Sequence, residues 1–144
     1  MADVKLILTV NSVIDNLSDA GLPEGDPEIN IFTTDGELTV IDGGYLITFS
    51  EEQDGGVAHT NLYVYESGVR LVKSGAITSE MCFTEGEVYN TLYCVGPYSF
   101  DMSVRTKKIR NTVTECGGDL QLIYTMNVGG QEKNVRMKIS SKRK

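Results

Sequence analysis

Leu120-Gln121-Leu122-Ile123-Tyr124-Thr125-Met126-Asn127-Val128-Gly129-Gly130 sets Leu120, Leu122, Tyr124, Met126 and Val128 on one side of an extended chain, then stops at two glycines. A period of two ended by a glycine pair describes a half-buried strand running into a hairpin, because successive side chains of a strand point to opposite faces. The pattern repeats on either side. Tyr98, Phe100, Met102 and Val104 alternate with Ser99, Asp101, Ser103 and Arg105, and Val135, Met137 and Ile139 alternate with Arg136 and Lys138. These apolar faces are the expected core, and the alternation turns Arg105, Arg136 and Lys138 outward with Asp101 and Gln121.

Towards the N-terminus, turn signals recur every ten residues or so: Gly117-Gly118, Gly96-Pro97, Glu85-Gly86, Ser74-Gly75, Ser67-Gly68, Gly55-Gly56 and Gly43-Gly44. Intervals this short exclude an ordinary helix after Asp42. Tyr45, Ile47 and Phe49 alternate with Leu46, Thr48 and Ser50, and Glu51 to Gly56 reads as a turn into a strand from Val57 to Glu66. Val4 to Val13 reads as a long first strand with Val4, Leu6, Leu8 and Val10 on one face. Residues 15–28, rich in acids and glycine and broken by Pro23 and Pro27, read as a flexible acidic loop. Ile29 to Thr34 and Glu37 to Ile41 form either one strand or two joined at Asp35-Gly36, since Asp-Gly is a strong hairpin signal. The expected architecture is all-β: one domain, 1–144, folded as an antiparallel up-and-down closed β-barrel of about eight to ten strands with a basic tail at 140–144. A two-sheet sandwich of the same strands is the alternative.

A chain of 144 residues buries roughly 68–70% of the surface its unfolded form exposes, enough for a core without disulfides or metal. No stretch approaches the run of about 18 apolar residues that a spanning helix needs, and Asp3, Thr9 and Asn11 interrupt any secretory signal. The chain reads as a soluble cytoplasmic protein without membrane association. Cys82, Cys94 and Cys116 lack the regularity of a disulfide framework and the Cys-x-x-Cys spacing, and are expected as free thiols in a reducing cytoplasm. A Cys/His dyad would need His59, the sole histidine, as base, and none of these residues lies in a recognisable nucleophile turn.

The net charge of −7 is unevenly spread: residues 1–58 carry −11, residues 59–104 carry −3 and residues 105–144 carry +7. First and last strands of a barrel are neighbours, so the expected use of the C-terminal bases is pairing with the acidic N-terminal part across the seam. The other use is an anion patch of Arg105, Lys107, Lys108 and Arg110, with Lys142, Arg143 and Lys144 behind it. Nucleic acid is an unsuitable partner, because the chain is acidic and no aromatic side chain interleaves with the Arg105–Arg110 cluster.

Gly68-Val69-x-Leu71, Lys73-Ser74-Gly75-Ala76, Phe83-x-x-Gly86, Tyr93, Pro97-Tyr98, Thr106-Lys107-Lys108-Ile109, Gly118-x-Leu120-x-Leu122-x-Tyr124 and Asn134 follow one another in an order that resembles the YwiB-like family of bacterial proteins. The resemblance runs from about Gly44 to Ile139, with Ile7 to Val13 fitting the family's opening strand. It implies a domain of unknown function with a calycin-like β-barrel, related in shape to lipocalins and fatty-acid-binding proteins. Two departures are a Tyr93–Tyr98 segment one residue longer than the family pattern, with Ser99 in place of the usual glycine, and a longer Ile29–Asp42 region. The resemblance carries over no catalytic or binding residue.

No paired carboxylates in a recognisable motif, metal-ligand cluster or phosphate loop stands out, and no cofactor is expected. The leading functional reading is a non-enzymatic barrel that binds a small apolar or anionic ligand at its mouth, its lumen lined by Tyr98, Met102, Tyr124, Met126 and Met137. The alternative is a protein-interaction or assembly module, a homodimer included, with a filled interior and no small-molecule ligand. An enzyme comes last. Because the named bases face outward, the interior around Met126 is expected to be packed solid, and Met126→Ala would then cost about 2–5 kcal/mol.

Overall fold

A computed structural model describes residues 4–18, 20–53 and 56–144. Asp3, Asp19, Asp54 and Gly55 lie outside the described residues, and with them part of the expected Glu51–Gly56 turn. The described residues form ten strands: β1 (Val4–Asn16), β2 (Glu28–Ile41), β3 (Gly44–Gln53), β4 (Gly56–Tyr65), β5 (Val69–Gly75), β6 (Ile77–Phe83), β7 (Val88–Val95), β8 (Tyr98–Asn111), β9 (Gly117–Val128) and β10 (Gln131–Arg143). Each pairs antiparallel with its sequence neighbours, and β1 pairs with β10, so the sheet closes on itself. The molecule is an up-and-down barrel.

One open choice is settled and two sequence expectations change. Of the two readings of Ile29 to Ile41 the single strand holds: β2 runs straight through Asp35-Gly36, and the hairpin to β3 is the next Asp-Gly, Asp42-Gly43, where Gly43 takes φ +81°. Gly36 serves a different purpose, since a Cβ there would run into Leu8 Cδ1 and lie 2.7 Å from the Thr48 carbonyl oxygen. The acidic loop is shorter, 17–27, because β1 continues to Asn16 and β2 begins at Glu28. It is closed internally by Ser18 N–H to the Leu22 carbonyl (2.8 Å) and folds back on β1 through Glu24 N–H to the Asn16 carbonyl (2.7 Å). Finally, 140–143 is no tail, for Ser140 to Arg143 pair with β1 from Thr9 back to Leu6.

The two ends of the barrel differ. The β2–β3, β4–β5, β6–β7 and β8–β9 hairpins gather at one end, which Leu6, Leu38, Leu62, Phe83, Leu120 and Leu122 fill as a buried plug. Phe83 packs its ring against Tyr124 at 4.8 Å between centroids. The end formed by the β1–β2, β3–β4, β5–β6, β7–β8 and β9–β10 connections has no such plug among the described residues.

The ladder is also uneven. β6 and β7 pair only from Ile77↔Val95 to Ser79↔Tyr93. Beyond that point the Tyr89 hydroxyl reaches across to Glu80 (2.5 Å), whose carboxylate also accepts from Arg70 Nη2 (2.6 Å) and Nε (3.2 Å). Arg70 in turn lies over the Tyr63 ring at 5.4 Å. The Tyr89 and Arg70 hydrogen bonds hold the Glu80 carboxyl below its ordinary range, and the Glu80 bond raises the Tyr89 phenol. A lowered carboxyl stabilises the fold above its unfolded-state pKa and loses that contribution as pH falls through its folded-state value.

Two outcomes are expected in urea melts. Gly36→Ala destabilises by about 1–3 kcal/mol, because the added methyl meets the Thr48 backbone, which cannot yield as a side chain can. Tyr89→Phe costs about 0.5–1.5 kcal/mol at pH 7, and the difference from wild type shrinks as the pH is lowered past about 4. A pH-independent difference would remove the Tyr89–Glu80 bond as its cause.

Candidate functional site: a cavity at the open end

A ten-stranded barrel is wider than one whose side chains just fill it. The closed end meets this with leucine and phenylalanine; at the open end the inward positions of β1 are Val10, Ser12 and Ile14, and those of β2 are Glu28, Asn30, Phe32 and Thr34. A cavity of about 1140 Å³ remains, walled by these residues and by the inward faces of β3 to β10, β7 contributing Tyr93. It also enters a gap in the wall. β2 pairs with β3 only from Gly36↔Phe49 to Ile41↔Gly44, so residues 28–35 are paired on the β1 side alone, and Ile31, Thr33, Ser50, Glu52 and Val57 border the cavity there. The Thr34 hydroxyl reaches across to the Ser50 carbonyl at 3.4 Å.

The wall carries charge inside. Lys73 on β5 and Glu51 on β3 form an ion pair of 3.2 Å, with side chains 22% and 14% exposed. Thr60 and Ser79 flank Lys73 in one cross-strand row, Thr60↔Lys73↔Ser79, and their hydroxyls are buried without a hydrogen-bond partner among the described residues. Tyr93 follows in the same row, its phenol raised above its ordinary range by burial and by the Glu51 charge. Burial alone raises the Tyr124 phenol. Lys133 on β10 also borders the cavity, and among the described residues it has no ion pair.

Of the residues expected in the lumen, Met102, Tyr124, Met126 and Met137 border the cavity. Tyr98 does not. It has the inward parity of Met102, but it opens β8 at the β7–β8 turn beyond the rim, where it is 66% exposed. The interior around Met126 is not packed solid: Met126 is half-buried and faces open space. Nor do all bases face outward, since Lys73 and Lys133 sit on the inward faces of their strands. Alternation held both signals, with Lys73 two residues past Leu71 and Lys133 two before Val135.

Arg105, Lys107, Lys108 and Arg110 are exposed on the outer wall. The barrel brings two of them into rows with other cations, Lys108↔Ile123↔Arg136 and Arg110↔Gln121↔Lys138, their backbones roughly 9–10 Å apart across β9. β8 neighbours β7 and β9, not the acidic N-terminal strands. Among the described residues one ion pair joins the acidic and basic ends of the chain, Lys144 to Asp35 at 3.0 Å, so pairing across the seam does not absorb the basic charge. His59 bonds Ser50 on the outer wall (2.8 Å), and Cys82, Cys94 and Cys116 are free thiols, none of them bonded to it among the described residues.

Comparison with known proteins agrees with this architecture. The family described as "Domain of unknown function (DUF1934)" matches residues 22–139. The uncharacterized β-barrel protein YwiB of Bacillus subtilis (strain 168) is 26% identical over 133 residues, covering 92% of this chain and 89% of that protein. The crystal structure of the YwiB protein from Bacillus subtilis superposes with a TM-score of 0.86 at 25% identity, covering 99% of this chain and 93% of that one.

The cavity separates two core substitutions that sequence would treat alike. Leu122→Ala, in the plug, is expected to cost about 2–5 kcal/mol, and Met126→Ala, facing open space, less than about 1 kcal/mol. Equal losses in urea melts would contradict a cavity at Met126.

Proposed function

The chain belongs to the DUF1934 family of β-barrel proteins, and from that premise we propose that it binds a small, largely apolar ligand in its lumen and does not act as an enzyme. The observation that carries this reading is the cavity of about 1140 Å³ under an open end, its wall made of seventeen aliphatic, methionine and aromatic residues and twelve polar ones. The rim supports it. Ile29, Ile31 and Val57 lie exposed beside the β2–β3 gap, while Tyr98 and Phe100 are exposed on the far side, so an apolar ligand meets apolar surface before it enters.

The same rim favours a second reading, a homodimer in which two copies cover each other's mouths. Native mass spectrometry separates the two. A monomer carrying a small molecule, recovered on denaturation, supports the lumen reading; an empty dimer supports assembly.

The lumen reading has a direct test with 1-anilinonaphthalene-8-sulfonate. The dye is expected to bind wild-type protein saturably at one site, and Met126→Trp, which fills the cavity from β9, is expected to weaken it at least about ten-fold with thermal melting little changed. Absence of saturable binding, or binding indifferent to Met126→Trp, would overturn it.

A further inference from the structure

We propose that the ligand is an amphipathic carboxylic acid, that Lys73, Thr60 and Ser79 form the subsite for its carboxylate, and that Glu51 is the internal counter-ion it displaces; this rests on the lumen reading above. Thr60, Lys73 and Ser79 occupy directly opposed positions on β4, β5 and β6. Opposed side chains on one face of a sheet stand about 4.5–5.5 Å apart at Cβ, so a hydroxyl flanks Lys73 on each side.

Their hydrogen-bonding capacity is largely unspent. Lys73 has three donor hydrogens, and among the described residues its one bond is to Glu51. Thr60 and Ser79 are 1% and 4% exposed, border the cavity and have no partner among the described residues. Buried hydroxyls without partners are costly, and a buried ion pair is favourable only when further hydrogen bonds complete it. A carboxylate between them accepts from all three and leaves none orphaned.

The sign of the head group follows from where the hydroxyls lie. They flank the cation; Glu51 is opposed by Ala58 on β4 and has no pairing partner on β2. A ligand cation on Glu51 would leave Thr60 and Ser79 unmet, whereas a ligand anion on Lys73 satisfies both. Lys73 carries one positive charge, which matches the single negative charge of a carboxylate once Glu51 is displaced and falls short of a doubly charged phosphate. The apolar body follows from the opposite wall. In a ring of ten strands, β5 stands across from β10, where Val135 and Met137 border the cavity, with Met126 beside them on β9. A ligand held at Lys73 therefore lays its hydrocarbon against methionine and valine.

The test uses cis-parinaric acid, a fluorescent long-chain acid, and its methyl ester. Wild-type protein is expected to bind the acid at least about ten-fold more tightly than the ester, the scale of a hydrogen-bonded charge pair. Lys73→Met is expected to erase that preference while holding ester affinity within about three-fold. Glu51→Gln, which frees Lys73, is expected to tighten the acid, and Ser79→Ala to weaken it. Lys133→Met, which removes the other lumen cation, is expected to preserve the preference. Equal wild-type affinities, a preference that survives Lys73→Met, or one lost in Lys133→Met would overturn the carboxylate subsite and leave the lumen reading standing. Failure of both probes to bind wild type would overturn both. Should Lys73→Met fail to fold in thermal melts, opposite shifts in Glu51→Gln and Ser79→Ala support the subsite and their absence rejects it.

Discussion

Pairing of β1 with β10 is the constraint from which the rest of the molecule follows. It joins the two ends of the chain over eleven residue pairs, Leu6↔Arg143 to Asn16↔Lys133, and turns a ten-stranded meander into a ring. Closure pairs the two outer strands that an open sheet would expose and fixes the number of strands, which sets the diameter. A ring of ten leaves more room than one layer of aliphatic side chains occupies, so the interior has to be filled by large residues or left open. This chain does both, one at each end. β1 alone records the division, running inward from Leu6 and Leu8 through Val10 to Ser12.

That division assigns stability and binding to different residues. The plug of Leu6, Leu38, Leu62, Phe83, Leu120 and Leu122 supplies six of the twelve largest fully buried side chains, and substitutions there open cavities in close-packed surroundings. At the open end the walls already face space. Polar groups are tolerated there because water or a ligand can meet them, and Lys73, Glu51, Thr60 and Ser79 all lie on that part of the wall. Hairpin pairing brings the row Thr60↔Lys73↔Ser79 together from three consecutive strands, while the cations on the outer wall come from β8 and β10 with β9 between them.

Most of the architecture was legible because half-buried antiparallel strands write their period into the sequence. Leu120 to Val128 shows it plainly, and so does Tyr98 to Arg105. Parity was legible where depth was not: Tyr98 and Met102 share a face, yet one lies beyond the rim and the other is buried, and alternation says nothing of distance along the barrel axis. Asp35-Gly36 stayed open between strand and turn for another reason. A glycine required by close approach, with Leu8 against it, has the same letter as a glycine required by a left-handed turn, and Asp42-Gly43 is the pair that has φ +81°. Lys73 and Lys133 were within reach of the pattern; extending the apolar faces of β5 and β10 by two residues puts both inside. The row that joins Arg110 to Lys138 was beyond it, because the Arg110↔Gln121↔Lys138 register depends on a bulge at Lys107 that shifts β8 against β9.

The β2–β3 gap leaves one stretch of the closed barrel without a ladder. Residues 28–35 of β2 present unpaired backbone on the β3 side, the kind of edge to which another chain can add a strand. Acidic side chains stand along it, Glu28 and Asp35 on β2 and Glu51 and Glu52 on β3, and two of them are met by cations, Asp35 by Lys144 and Glu51 by Lys73. Charged side chains on an exposed edge discourage strand addition, and the gap leaves the lumen reachable without breaking a ladder that the rest of the barrel needs. β1 stands between β10 and β2, and among the described residues the one ion pair that bridges the two ends of the chain, Lys144 to Asp35, lies where pairing of β2 with β3 resumes.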